Sequence, residues 1–467
     1  MTGFRGIAVA LAGVVMVCVM LAAERLPGGE AGRGLLQAAR PEPVDPQALA
    51  QWWDTHHLPL PSAPLMTHAD VTGAVSRAVE VSNGQVRSEV IGQSVEGRDL
   101  YHLTYGSGPM HVLLWSQMHG DEPTATRALF DVLEWLRRES AAPAAEQIAD
   151  RLTLHLVPML NPDGAQRFQR RNAQGIDVNR DALRLQTPEG RALKALRDRI
   201  EPVLGFNLHN QNWGTSVGSP PRPASISLLA VAHDEARSDS PRRIRAKKTA
   251  ALIRDVLERF IPGQIGRYSD EFEVRAFGDN IGRWGTGVVL IETGPLAGPD
   301  PDRELVRLNF VAILSALDGL ASGRVEAADV ERYESLPHND NRLLHALVTE
   351  ATVIAGTGVP PFIADIGLSG QRSVQERDGR RVLRVAHRIA DLGDLRVYGA
   401  LERIDAAGLT AVPLVDEQVK AGDEIRLPDW GTWKGPTLSV GQPGRFLLVE
   451  PVPERDGTWR VVRRVGE

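Results

Sequence analysis

The sequence predicts an α/β protein: a mixed, mostly parallel sheet flanked by helices on both faces, followed by a small C-terminal β domain. Three observations carry this. The chain has 467 residues, more than one ordinary core holds, so two domains are the starting expectation. From about residue 87 to 325, short continuous apolar runs alternate with helical periodicity, the pattern of strands covered on both faces. After Gly323 the character changes to short strand-like runs between Gly, Pro and Asp turns.

Taken in order, the chain opens on Arg5 and then the uncharged, apolar stretch "GIAVALAGVVMVCVMLAA" at 6–23. This reads as a signal peptide cleaved after Ala23 or, because Leu21 suits a cleavage site poorly, as an uncleaved membrane anchor. Either version places the protein outside the cytoplasm, periplasmic or secreted, with the membrane touched only through that segment. The single cysteine, Cys18, lies inside it, and Val17 before it argues against lipid attachment. The remaining chain has no thiol, which excludes cysteine ligands and cysteine nucleophiles. Residues 24–65 are rich in Pro, Gly and Ala and read as a linker.

The main domain is expected over 66–325. "DVTGAVSRAVE" begins it with a helical pattern. Strands are predicted at 111–115, 152–160, 203–208, 226–232 and 288–291. Helices are predicted at 189–200, 244–260 and 303–321, and after Glu122, where Ala125, Leu129, Val132 and Leu136 share one face and Pro123 suits a first turn. The accessory β domain is expected over 340–467; Trp430 and Trp433 in it read as core packing rather than sugar stacking. Net charge is −6 with no dense Lys/Arg block, so nucleic acid is not the expected partner.

Chemistry-bearing residues gather at the ends of the apolar runs. "HVLLW" is followed by "SQMHGDEPTA", which sets His119 three residues before Glu122. A strand-end His and a helix-start Glu can converge on one metal ion, or they can be a polar loop leaving a buried strand. A hydrolytic zinc site needs three protein ligands and an open position. A third ligand is expected from another strand end, and His209 closes "VLGFNLH". "DTHH" at 54–57 reads as surface. "NPDG" at 161–164 is turn chemistry. The arginines after it suit carboxylate recognition or oxyanion stabilisation, with a solvated loop as the alternative. "GVVLIETG" ends an apolar strand in Glu292; a carboxylate there is costly unless paired or used, which makes it a candidate general base.

In the order "HGDE", "NPDG", "RRN…GIDVNR", "NLHN" and "LIETG", with "IGQSVEGRDL" upstream, these pieces resemble the zinc metallocarboxypeptidases of the carboxypeptidase A type over roughly 90–320. The resemblance implies one zinc ion bound by His119, Glu122 and His209, with Glu292 as base and proton shuttle. It implies Arg170, rather than Arg171, on the scissile carbonyl. Asn179 and Arg180 would hold the substrate's terminal carboxylate, and Asp177 would orient the first zinc histidine. Tyr268 is the nearest match to the family's mobile tyrosine. The chain departs from the pattern at Ala182, where an aromatic is usual, and at Asn210, where Ser is common. Arg275, Phe277 and Asp279 are candidates for the side-chain pocket; they favour acidic, apolar and basic substrates respectively.

The resulting expectation is a metallocarboxypeptidase acting on peptides with a free carboxylate. An amidase or deacylase for γ-glutamyl or N-acyl amino acid bonds uses the same centre. An inactive carboxylate- or glycan-binding protein is the non-enzymatic alternative.

Overall fold

The computed structural model describes residues 42–59, 65–356, 358–378 and 380–466. The expected leader at 1–23, with Cys18, lies outside them. No helix among the described residues is long and apolar enough to cross a membrane.

Helices are α1 Pro46–His56, α2 His68–Glu80, α3 Thr124–Arg138, α4 Pro143–Arg151, α5 Pro162–Arg167, α6 Pro188–Ile200, α7 Pro241–Leu257, α8 Phe277–Arg283 and α9 Pro301–Ala321. Strands β1 Val86–Gln93, β2 Asp99–Tyr105, β3 Met110–Ser116, β4 Leu152–Val157, β5 Leu204–Asn210, β6 Ser216–Val217, β7 Arg222–Pro223, β8 Ile226–Ala230, β9 Ile265–Arg267 and β10 Gly287–Thr293 precede β11 Asn339–Asp340. The central sheet runs β1-β2-β4-β3-β5-β10-β8-β9, and β11-β6-β7 form a small second sheet. Its middle, β4-β3-β5-β10, is parallel; antiparallel pairs flank it, β1, β2 and β4 on one side and β8 beside β10 on the other.

The apolar runs become strands covered on both faces. On β3, Val112 and Leu114 enter one core with α3 and α9, while Leu113 and Trp115 enter the other with α6 and α8. The same alternation on β5 and β10 sends Phe206, Leu208, Val289 and Ile291 to the first core. Asn207, His209 and Glu292 therefore face the second, beside Val288 and Leu290. Strand alternation thus decides on which face of the sheet the polar residues emerge.

The linker expectation fails in part. Part of the predicted 24–65 linker is helix α1, with Leu49, Ala50 and Trp53 buried in the main core. The Trp53 indole donates to Asp131 Oδ2 at 2.8 Å. Pro46, part of the Pro-rich composition that reads as a linker, sits in the first helical turn after the Asp45 cap, where proline costs nothing.

The C-terminal strands β12 Leu343–Val353, β13 Phe362–Arg377 and β14 Arg380–Gly393 join strands between Gly399 and Val465 in a sheet of their own, with a core of Val348, Ile366, Leu368, Phe446 and Leu448. Both sheets belong to one compact unit spanning Pro41–Glu467. Trp430 and Trp433 meet edge to face at 5.6 Å, Trp430 against the apolar cluster of Val412 and Leu447.

A row of imidazoles crosses β2, β4 and β3. His102 Nδ1 meets Glu89 Oε1 at 2.7 Å, His102 Nε2 meets His155 Nδ1 at 3.0 Å, and His155 Nε2 meets His111 Nδ1 at 2.9 Å. Burial, then the neighbouring imidazoles, lowers His155 to about 3. Its folded value lies below the unfolded one, so its contribution is present above pH 6.5 and is lost as pH falls toward 3. Between pH 7 and pH 5 this residue alone should cost about 2 kcal/mol of stability. Denaturant midpoints at the two pH values measure the difference, and His155→Asn should flatten it. An unchanged slope in that variant would rule the row out as the source.

Candidate active site

His119 reaches the site through a tightly held loop. Leaving β3, Gln117 adopts a left-handed φ of 49°. Its side chain donates to the Gly120 carbonyl at 3.0 Å and accepts from the Thr126 hydroxyl at 3.0 Å. A Cβ on Gly120 would stand 2.0 Å from the Gly164 carbonyl carbon, so only glycine lets the loop lie against α5. "NPDG", expected as a turn, instead starts α5: Asn161 Oδ1 caps the helix by accepting from Gly164 N at 2.9 Å. Buried Asp163 accepts from the Ser94 hydroxyl at 2.7 Å and pairs with Arg98, which ties in the hairpin of "IGQSVEGRDL".

The three predicted ligands come together. Glu122 Oε1 lies 2.8 Å from His119 Nδ1, and Oε2 lies 2.7 Å from His209 Nδ1. The two Nδ1 atoms are 3.1 Å apart. One ligand atom from each residue fits within a 4.8 Å span, and all three are buried. His119 Nε2 meets Asp177 Oδ1 at 3.1 Å, which leaves Nδ1 as its ligand atom. Two nitrogen lone pairs and a carboxylate converging in a buried space suit a tetrahedral zinc ion with one position open.

The electrostatics agree. Burial disfavours a charged His119, yet Glu122 and Asp177 outweigh it and raise the imidazole to about 9. Glu122 is buried, but the two histidines hold it well below the usual carboxylate range. The cluster therefore favours positive charge at its centre. Glu292 stands in register with His209 on the neighbouring parallel strand. Burial first, and then the Glu122 charge, push it up to about 8, and its Oε2 is bonded to nothing. A divalent ion beside it pulls that value down.

The other predicted residues border the same cavity of about 530 Å³, which Arg170, Asn179, Arg180 and Tyr268 line. Arg170 Nε donates to Asp177 Oδ2 at 2.9 Å, and its Nη1 lies 3.1 Å from His119 Nδ1. Arg171 turns away and donates to the Gly175 carbonyl at 3.1 Å. Asn179 Oδ1 accepts from Phe277 N at 2.9 Å. Arg180 pairs with Glu273 at 3.4 Å, a partner the sequence did not single out. Tyr268 feels the Glu292 charge, which with burial raises its phenol.

Of the three pocket candidates, Phe277 is fully buried in the second core, and exposed Arg275 pairs with Glu273 at 3.0 Å. Asp279 lines the cavity. Burial raises it to about 6, and its Oδ1 accepts from Glu273 N at 3.0 Å. Leu229, Val231, Leu290 and Asn207 line the same cavity. A Cβ on Gly278 would sit 3.0 Å from the Asn207 amide nitrogen, so residue 278 and the strand close on each other there. Asn207 was missed, although its place two residues before His209 on one strand face was the available signal.

Asp177 should matter for metal affinity rather than for folding. Asp177→Asn is expected to weaken zinc binding roughly 10–100-fold in a competitive chelator titration. Thermal stabilisation by zinc should shrink in parallel.

The zinc carboxypeptidase family model matches residues 76–223. Carboxypeptidase SOL1 of Arabidopsis thaliana is 30% identical over 172 residues, 32% of this chain and 35% of that protein. Carboxypeptidase M of Mus musculus is 29% identical over 158 residues, 28% of this chain and 34% of that protein. The chain thus spans about a third of the length of these relatives. A solved metallo-carboxypeptidase from Pseudomonas aeruginosa, in complex with (2-guanidinoethylmercapto)succinic acid, covers 55% of this chain and 69% of its own at 20% identity and a TM-score of 0.46. His119, Glu122 and His209 fall within the family match, whereas Glu292 falls beyond it and is placed by its register with His209. Residues 76–223, which carry the His-Glu-His site of His119, Glu122 and His209, thus match the zinc carboxypeptidase family.

Proposed function

We propose that this chain is a zinc-dependent metallocarboxypeptidase that removes the C-terminal residue of peptides. The observation that carries the reading is the pairing of Glu292 with His209. A carboxylate with an unbonded oxygen stands beside the ligand set at the carboxyl ends of two parallel strands.

When bound, zinc supplies a Lewis acid that lowers the pKa of water to about 7. Glu292 takes the proton from the attacking water and returns it to the leaving amine. Arg170, anchored through Nε to Asp177, donates to the oxygen of the attacked carbonyl. Arg180 exchanges Glu273 for the substrate's terminal carboxylate, a geometry that suits a guanidinium fork. Asn179 has its Oδ1 committed to Phe277, which leaves its NH₂ to donate to the same carboxylate. Tyr268 borders the cavity as a further donor.

The cavity also favours one kind of terminal side chain. Asn207 Oδ1 is buried without a donor, and Asp279 adds a carboxylate. Two acceptors among apolar Leu229, Val231 and Leu290 call for a long side chain with a cationic end, that of Lys or Arg.

Glu292→Gln should retain zinc and lose roughly 10²–10⁴-fold in kcat on an acylated dipeptide. Wild-type turnover in that variant would remove the assigned base. Exclusive cleavage of N-acyl amino acids by the unmodified protein would replace the peptidase reading with a deacylase. The preference for C-terminal Arg over Leu, read as a ratio of kcat/KM values, should fall as pH drops through about 6 and Asp279 protonates. In Asp279→Asn the ratio should be low at every pH.

A further inference from the structure

We infer that the connector between the two sheets, His338–Asn341, forms the wall of the cavity that holds the substrate residues preceding the scissile bond. This deepens the peptidase reading and rests on it.

His338, Asn339 and Asn341 line the cavity together with the metal ligands. Two contacts fix them there. β11, Asn339–Asp340, pairs with β6, the short strand that follows His209. On the other side, the Pro337 carbonyl accepts from Arg267 N at 2.8 Å, and His338 bridges to the same residue, next to Tyr268. The connector is thus wedged between the segment after a metal ligand and the strand that leads to the cavity tyrosine.

Asn339 locks the wedge. Its Nδ2 donates to Gln211 Oε1 at 2.9 Å, and its Oδ1 accepts from the Ser227 hydroxyl at 2.8 Å. Gln211 Nε2 in turn donates to the Ala224 carbonyl at 2.6 Å. Asn339 is therefore a positioning residue, whereas His338 and Asn341 are exposed toward the cavity and free to contact substrate. The C-terminal sheet also reaches the segment that follows His209. Arg372 of β13 lies 4.1 Å over the Trp213 ring and pairs with Asp302 at the start of α9.

Direction follows from strand alternation. Asn207, His209 and Gln211 follow one another along one line, with the metal ligand in the middle. Asn207 borders the pocket assigned to the terminal side chain. The substrate chain on the far side of the scissile bond must then run past Gln211 and the connector. The amides of Asn210, Gln211, Asn212 and Asn341 and the imidazole of His338 line the cavity there, beside Arg267 and Asp270, whose opposite charges face each other at 3.7 Å. Amides pair with peptide N–H and C=O groups. The occupant is the uncharged peptide backbone of an extended substrate.

The test uses the full-length, zinc-loaded Glu292→Gln protein, which binds without turning over. It is titrated by calorimetry with an acetylated dipeptide and an acetylated tetrapeptide that share the same C-terminal residue. The tetrapeptide is expected to bind at least about tenfold tighter. Adding His338→Ala and Asn341→Ala should erase that advantage and leave the dipeptide within about twofold, with thermal unfolding unchanged because both residues are exposed. Equal affinity for the two lengths, equal loss on both, or binding of neither peptide would overturn the inference. Hydrolysis by the unmodified protein is scored separately. Length-dependent binding without hydrolysis keeps the connector assignment and removes the peptidase reading, and hydrolysis without length dependence does the reverse.

Discussion

A carboxylate buried between two imidazoles is the constraint around which this molecule is arranged. Glu122 is 7% exposed and holds one histidine nitrogen on each of its oxygens. A buried charge of this kind persists only if it is paired and its partners are held in place. Each partner comes from a different part of the chain. His119 follows β3, His209 ends β5, and Asp177 supports His119 from the loop beyond α5. The parallel middle of the sheet is what delivers these strand ends to one level, and Glu292 arrives there through its register with His209.

The arginines around this cluster are already engaged. Arg170 spans Asp177 and the His119–Glu122 pair, and Arg180 leans on Glu273. Such pairs keep guanidinium groups oriented in a partly dry cavity. Under the proposed peptidase reading, a substrate carboxylate would compete with a carboxylate of the protein, and recognition would be an exchange of partners. Glu273 is in turn shared with Arg275, which softens that competition.

Much of this was legible from the sequence because the decisive residues terminate apolar runs. His119 and Glu122 follow an unbroken buried strand, His209 and Glu292 sit next to the end of one, and burial makes a polar residue conspicuous there. Regular elements were legible for the same reason; the helices expected at 189–200 and 303–321 begin and end within two residues of α6 and α9. What was not legible depended on orientation or on distant contacts. Arg275, Phe277 and Asp279 lie within five positions of one another, and only the start of α8 decides that the phenylalanine goes to the core and the aspartate to the cavity. Pro-rich composition concealed α1, because a proline in a first helical turn looks like a breaker until its cap is seen. Asn339 carried no local signal, since its partners Gln211 and Ser227 lie more than a hundred residues away.

The connector bears on where this protein begins and ends as a working unit. A fragment stopped near residue 325 would keep every metal ligand and the glutamate beside them, yet it would lack one side of the groove and the clasp on Gln211. On the proposed reading, its chemistry and its selectivity would come apart. The same seam offers a route to diversification: exchanging the trailing sheet together with its junction would retune which chains are accepted while the reacting groups stay untouched.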